Sequence, residues 1–442
     1  MLKKTLNALI ALYLFLLPWQ AVYIFAENFI NGAKWQYGTG QIYLTEPLLW
    51  LIALIFVSGR INSRGLKSLV PDFKLLKSAD KKRMAITSAI WLFVLWSGLS
   101  ILWSPEKPAA CYLWLHLLEG AALMLIILNS GWRLKNLLWP LIASAGPIAL
   151  LAVWQFLTQN SLANTLLGLS PHSAAILGDT VIETDVGRWL RAYGPFSHPN
   201  ILGGYLALTL SAVLILWQEI AWSSFPSLKR ESQRIFLLVV ICLISASLFF
   251  SFSRSAWLAA LIILMICLGY WLKNKKLWPQ YLAIILAPLL IFATLSFIFN
   301  PLVLARADLA GRLENNSLAE RETQVSQALG LIKNQPLLGA GLNNYTYALH
   351  RQSPLSPAYS LQPVHNLYLL ILAELGVIGL IISLVLFYLI IKNSKKSFAL
   401  LPLTALLIIS LFDHYFFTQY IGLMIFWLAL TLALVDDKVE NQ

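Results

Sequence analysis

Charge is scarce in this sequence. Only 12% of its 442 residues are Asp, Glu, Lys or Arg, about half the share of a soluble domain, which excludes an ordinary water-soluble fold. Cysteine is scarce as well. Cys111, Cys242 and Cys267 all fall inside apolar runs, which excludes a disulfide framework and a cysteine-based metal site. No DxD motif stands in either long loop, no glycine-rich phosphate cradle occurs, and GxSxG is missing. No metal site stands out, so an enzyme built on this chain is expected to work with cationic side chains. The net charge of +12 does not point to nucleic acid, because the basic residues sit in short segments between apolar runs.

What is abundant is hydrophobic sequence, 59% of the chain. Runs of about 20 apolar residues are the length that crosses a bilayer as a helix. Twelve such spans are expected, at 5–25, 43–59, 85–103, 110–128, 137–157, 200–218, 235–251, 256–272, 279–298, 365–391, 398–412 and 418–435. The fold class is therefore an all-α integral membrane protein. The start, "MLKKTLNALIALYLFLLPW", has the look of a signal peptide but lacks a clear small-x-small cleavage site, so it reads as the first span. With the N-terminus inside, 22 of the 32 lysines and arginines fall on the inner side. That bias sets the orientation, with both termini expected in the cytoplasm.

Two expected outer loops are long, 158–199 and 299–364. The division is then 1–298, nine spans with the first loop; 299–364, the large outer loop; and 365–442, three spans and a tail. In the large loop "SLAE" (Ser317 to Glu320) reads as a capping box. Val325, Ala328, Leu329 and Ile332 follow at helical spacing, which predicts an amphipathic surface helix stopped by Pro336.

An arginine beside a span on the outer side is informative. Arg254, in "FFSFSRSAWLAAL", lies in a hairpin too short to reach far into water. It is either a fork for a phosphate or diphosphate or an anchor bonded to Ser251, Ser253 and nearby carbonyls. "VGRWLRAYGPFSHPNILGGYLAL" places Arg188, Arg191 and His198 at a re-entry turn. They are either further cations and a lining imidazole, or parts of a rigid turn capped by Ser197 or Asn200. Arg321 stands out among the arginines of the large loop, which include Arg306, Arg312 and Arg351. "QPVHNLYLLILAELG" puts His365 at the first turn of a span, with Asn366 next and Tyr368 on the same face. A helix N-terminus keeps an imidazole neutral, and a neutral imidazole is a general base; the plainer reading is an interfacial histidine bonded to a carbonyl. Glu374 lies nine residues deeper on the opposite face, so it cannot pair with His365 and is expected to brace another span. His116 and Glu119 share a face and read as an internal pair or a proton path. Glu46 and the Asp413–His414 turn are ambiguous.

The pieces "RAYGPFSHPNILGGYL", "FSRSAWLAAL", "RETQVSQALGLIKNQPLLGAGLNNY" and "VHNLYLLILAELGVIGLI" occur in that order. Together they resemble the O-antigen ligase and polymerase superfamily of bacterial membrane glycosyltransferases. The resemblance implies a GT-C-like fold in the inner membrane, opening to the periplasm beneath the large loop. It implies a donor glycan on undecaprenyl diphosphate, a lipid A-core or other glycan acceptor, membrane lipid around it, and no metal or other cofactor. His365 would be the base; Arg191, Arg254 and Arg321 would bind the diphosphate; His198, Asn366, Tyr368 and Glu374 would support them. A ligase is favoured over a polymerase because the two long loops do not look alike. A transporter of a small anion such as bicarbonate, routed through His116, Glu119 and Glu374, is the alternative of another class.

Overall fold

The computed structural model describes residues 2–64, 78–221, 228–273, 278–308, 311–394 and 397–435. Of the basic residues expected on the inner side, Lys67, Lys74, Lys77, Lys275, Lys276, Lys395, Lys396 and Lys438 lie outside the described residues.

The chain is mostly helical, as its apolar runs predict. Its main helices are α1 (Leu2–Leu16), α2 (Thr45–Arg64), α3 (Ser78–Leu99), α4 (Lys107–Asn129), α5 (Leu134–Thr158), α6 (Pro199–Ala221), α7 (Leu228–Phe250), α8 (Arg254–Leu272) and α9 (Trp278–Ile298). They continue with α10 (Asn300–Ala307), α11 (Arg312–Asn334), α12 (Tyr345–Gln352), α13 (Leu367–Asn393), α14 (Leu401–Ile409), α15 (Tyr415–Thr418) and α16 (Tyr420–Leu434). Among the described residues, eight helices are long and apolar enough to cross a membrane: those of α3 to α9 and α13. The other four expected spans fall on α1, α2, α14 and α16, which are shorter or run into polar sequence. Helix α6 is the axis of the bundle. Of its most apolar stretch 94% is buried, and it packs against α5, α7, α8, α14 and α16.

The first expected span is shorter than its apolar run. Helix α1 ends at Leu16, two residues before Pro18, whose ring and missing N–H cannot continue a helix. The β-branched and aromatic run that follows forms β1 (Val22–Ala26), antiparallel to β4 (Gly40–Tyr43), with Val22 opposite Tyr43. Between them β2 (Phe29–Ile30) and β3 (Ala33–Lys34) form a small hairpin. This segment packs onto α12 and the loop before it: Trp35 Nε1 donates to Thr346 Oγ1 at 3.0 Å, and Asn343 Nδ2 donates to the Tyr37 carbonyl at 2.9 Å.

The large loop also differs from its expected form. Ser317 caps nothing; it lies inside α11, which starts five residues earlier behind Gly311. Tertiary contacts add that turn and a half. Arg312 forks onto Glu183 through Nη2 at 2.8 Å and Nε at 3.1 Å. Leu313 packs on the cluster of Val181, Leu190 and Tyr193, formed by the hairpin of β5 (Val181–Thr184) and β6 (Gly187–Leu190) and the turn that follows it. The helix ends two residues before Pro336. Its inner face is Gln324, Ala328 and Leu331, while Val325 and Leu329 point outward.

Helix α13 is broken. Gly376 has φ +69°, ψ −175°, so the helix interrupts there and resumes. Residues 336–345 dock into the break. Ala340 and Gly341 donate to the carbonyls of Ala373 and Glu374 at 2.8 Å each, and Val377 N donates to Pro336 O at 2.9 Å. A Cβ on Gly376 would stand 2.0 Å from Leu337 O, so positive φ and close approach both demand glycine. The Glu374 carboxylate accepts from Asn343 N at 2.9 Å and Tyr345 N at 3.1 Å. It therefore caps α12 and supplies acceptors to two donors that would otherwise be stranded, at about 1–3 kcal/mol each.

Candidate functional site

Three segments that are remote in sequence meet at the end of the bundle that carries the long loops. The first is the turn before α6. Gln155 of α5 holds it: Oε1 accepts from Tyr193 N at 3.2 Å and Gly194 N at 2.7 Å, and Nε2 donates to Gly194 O at 2.9 Å. That fixes Arg191, which is 3% exposed. Its Nε donates to Ser251 O at 2.7 Å and its Nη2 to Asn200 Oδ1 at 2.8 Å. Asn200 is, with Ser197, one of the two candidate caps of α6. Its side chain instead bridges outward, with Nδ2 donating to Asp413 Oδ2 at 2.8 Å. The cap-like contact comes from His198, whose Nδ1 accepts from Asn200 N at 3.0 Å.

The second segment is the start of α13. His365 stands one residue before the N-cap, not in the first turn: Asn366 is the cap, and its Oδ1 accepts from Leu369 N at 3.0 Å. Asn366 Nδ2 donates to Leu411 O at 3.1 Å and Leu367 N to Ser410 O at 2.9 Å, which ties this start to the third segment, the turn 410–414. Tyr368 does not reach His365; its hydroxyl donates to Leu407 O at 3.2 Å. In the turn, Asp413 lies with Oδ1 3.5 Å from His365 Nδ1. That is an ion-pair contact, too long for a strong hydrogen bond. Asp413 Oδ1 also accepts from His414 N at 3.0 Å. The His414 ring lies 5.1 Å from that of His365, and its Nδ1 meets Thr418 Oγ1 at 2.8 Å.

The charges here are strongly perturbed. Burial works against an ionised Asp413, but the contact and charge of His365, with the charges of His414 and His198, outweigh it and hold the carboxyl well below the usual range. Burial and the charge of Arg191 lower His198 to about 3, and burial with the charge of His365 lowers His414 to about 3, so both stay neutral at pH 7. His365 itself keeps 30% of its side chain exposed. Among the three histidines it combines access with a carboxylate neighbour. His365, Asp413 and His414 also stand close enough to share an ion, but the Asp413 oxygens and the His414 Nδ1 already have protein partners.

A second group adjoins it on the hairpin between α7 and α8. Arg254 Nη2 pairs with Glu314 Oε2 at 2.9 Å, and Arg306 Nη1 pairs with Glu314 Oε1. Arg306 Nε reaches Phe252 O at 3.4 Å, one residue from the carbonyl that Arg191 holds. Three arginines thus gather at Ser251–Ser253, and two of them share the Glu314 carboxylate. Burial and the charge of Arg306 push Arg191 well below the usual arginine value. Burial and the charge of Arg254 lower Arg306 against the pull of Glu314. Such a place favours an added anion. Arg321 acts on Arg306 only through its charge; it makes no hydrogen bond or ion pair among the described residues. Arg188 sits opposite Glu183 in the β5–β6 hairpin, away from this group.

The structure brings His365, Arg191 and Arg254, each singled out in the sequence, into neighbouring groups at this end of the bundle. Glu314, Arg306, Asp413 and the bridging amide of Asn200 join them there, and their sequence contexts gave no sign of these contacts except at Asp413. Asp413 carried a usable signal, a lone acid in a short turn between two apolar runs, the same signal that marked Arg254. His116 and Glu119 do not form the expected direct pair. His116 Nε2 faces Glu46 Oε1 at 3.7 Å, and Glu119 Oε1 accepts from Trp50 Nε1 at 2.8 Å.

The profile of the family described as O-antigen ligase matches residues 237–384. The match runs from α7 into the second half of α13 and contains Arg254, Arg306, Glu314, Arg321, His365 and Glu374, while Arg191, His198 and Asp413 lie outside it. No curated protein matches the chain. Residues 237–384, about a third of the chain, are thus similar to the O-antigen ligase family, and together with the apolar membrane-crossing helices this supports membership in that superfamily of glycosyltransferase-like proteins, which takes in ligases and polymerases.

Proposed function

We propose that this protein transfers a glycan from undecaprenyl diphosphate to a hydroxyl of lipid A-core or a similar acceptor, at the periplasmic face of the bacterial inner membrane. One observation carries the reading: an unbroken line of contacts, Arg191–Asn200–Asp413–His365, joins a buried cation to a half-exposed imidazole. The excess of basic residues on the other side supports the orientation.

In this reading His365 is the base. Nδ1 turns to Asp413, so Nε2 takes the proton of the acceptor hydroxyl, and Asp413 balances the imidazolium that forms. The acceptor oxygen bonds to the anomeric carbon from the face opposite the diphosphate. The bond from that carbon to the phosphate oxygen breaks, and its electron pair leaves with the lipid diphosphate, which inverts the configuration. Arg191 and Arg254 meet the charge that develops there, where exclusion of water makes each contact count for more. Arg306 joins them as a third cation, and Arg321 is the outermost. Glu314 holds the place of the anion between Arg254 and Arg306 until the donor arrives.

The test is the envelope glycan profile of a deletion strain complemented with wild type or His365→Ala. A base supplies on the order of 10²–10⁴-fold, so His365→Ala should insert and fold normally yet leave finished glycan on its lipid carrier. Wild-type transfer in that strain would sink the assignment. Transfer of single repeat units alone would mark a polymerase, which shares this chemistry. The family match lends the transporter alternative no support.

A further inference from the structure

Glu46, His116 and Glu119 come together inside the bundle from two helices. Glu46 stands in the first turn of α2; His116 and Glu119 stand one turn apart on α4. They are 8%, 3% and 3% exposed, and their donor atoms lie within 4.8 Å of one another. The 3.7 Å between His116 Nε2 and Glu46 Oε1 is too long for a hydrogen bond. It suits two ligands that share one ion, each about 2.0–2.2 Å from it. Glu119 Oε2 has no hydrogen-bond partner among the described residues. A buried acceptor left in that condition is costly, and two carboxylates against one imidazole call for a further positive charge.

The surroundings orient the set as outer partners orient metal ligands. Tyr43 N donates to Glu46 Oε1 at 2.7 Å, and the Trp50 indole donates to Glu119 Oε1 at 2.8 Å. A cavity of about 30 Å³, lined by Tyr43, Tyr112, His116 and Tyr420 among others, adjoins the cluster. It touches the set through His116 and has room for one water, and so for a fourth ligand.

We propose that Glu46, His116 and Glu119 bind one divalent cation of the zinc class. One imidazole nitrogen with carboxylate oxygens suits Zn²⁺ or Mn²⁺; calcium prefers six or more oxygens. The ion neutralises the carboxylates, gives Glu119 Oε2 its partner and clasps α2 to α4. Its role is structural, because the set stands on elements other than those that carry His365 and the three arginines.

The experiment uses the full chain in detergent, loaded with Zn²⁺, dialysed and analysed for metal. Wild type should hold about one zinc per chain, and Glu119→Gln and His116→Asn should hold none above background. Zinc should raise the Tm of wild type alone. Co²⁺ in its place should give visible ligand-field bands that Glu119→Gln abolishes. Glu119→Gln is nearly isosteric, so it carries the test if His116→Asn fails to fold. Wild type without stoichiometric Zn²⁺, Mn²⁺ or Co²⁺ overturns the proposal, as does a Glu119→Gln protein that keeps its metal. A metal-free wild type that Glu119→Gln stabilises would show that a shared proton fills the site instead.

Discussion

Two clusters in this molecule use the same residue types to opposite ends. At the loop-bearing end, Asp413 meets His365 and His414; inside the bundle, Glu46 and Glu119 meet His116. In the first, protein donors satisfy the carboxylate. Asn200 fills Oδ2, His414 N fills Oδ1, and His365 stands beside it. In the second, one carboxylate oxygen is left over. A satisfied carboxylate can hold an imidazole in place and balance its charge while the other ring nitrogen stays open to substrate. An unsatisfied one asks for a ligand. Residue type does not separate these roles; the accounting of lone pairs and the access of the imidazole do.

Mutations at the first cluster sharpen that contrast. Asp413→Asn should lower the rate of transfer by roughly 10²-fold with little effect on insertion, because it removes the partner that orients and balances His365. Its measure is kcat in reconstituted vesicles, with KM nearly unchanged. An equal loss in both would mean that the turn had merely collapsed. Arg254→Lys should cost roughly 10- to 100-fold, because a point charge cannot reproduce a guanidinium that now pairs with Glu314 through Nη2 and reaches the Arg306 carbonyl through Nη1. Donor titrations would show the loss, and wild-type affinity would make Arg254 an anchor only.

The smallest effect is on acid stability. Unfolded His414 takes up a proton near pH 6.5, whereas folded His414 refuses it until about 3. Its contribution is therefore lost as pH falls from about 6.5 towards 3. Asp413, held below its unfolded value, acts in the same direction below the usual carboxylate range. Thermal unfolding followed by tryptophan fluorescence should show Tm falling across that window, and His414→Gln should flatten the upper part of the slope. An unchanged slope would contradict a buried neutral imidazole.

Much of this was legible locally. Apolar runs gave the helices because a bilayer leaves few other ways to satisfy the backbone. Exceptions arose where neighbours outbid a local pattern. "SLAE" has the form of a capping box, yet Arg312, Leu313 and Glu314 find partners on β5, on the β5–β6 cluster and in the arginine pair, and these carry the helix past it. The run after Pro18 continues the apolar stretch of the first expected span, yet it pairs as a strand with 40–43. Asn200 looked like a cap because nothing local says that Asp413, 213 residues on, stands within reach.

The sequence by itself determined that this chain crosses a membrane many times, and it marked His365, Arg191 and Arg254 as polar or charged groups standing where outer segments meet the spans. Only the tertiary structure decided their partners: Asp413 for the imidazole, Ser251 O and Asn200 for one arginine, Glu314 for the other. The reason is physical. Apolarity and charge are properties of a residue and show in any window, whereas a hydrogen bond is a property of two atoms whose approach depends on how every helix between them packs.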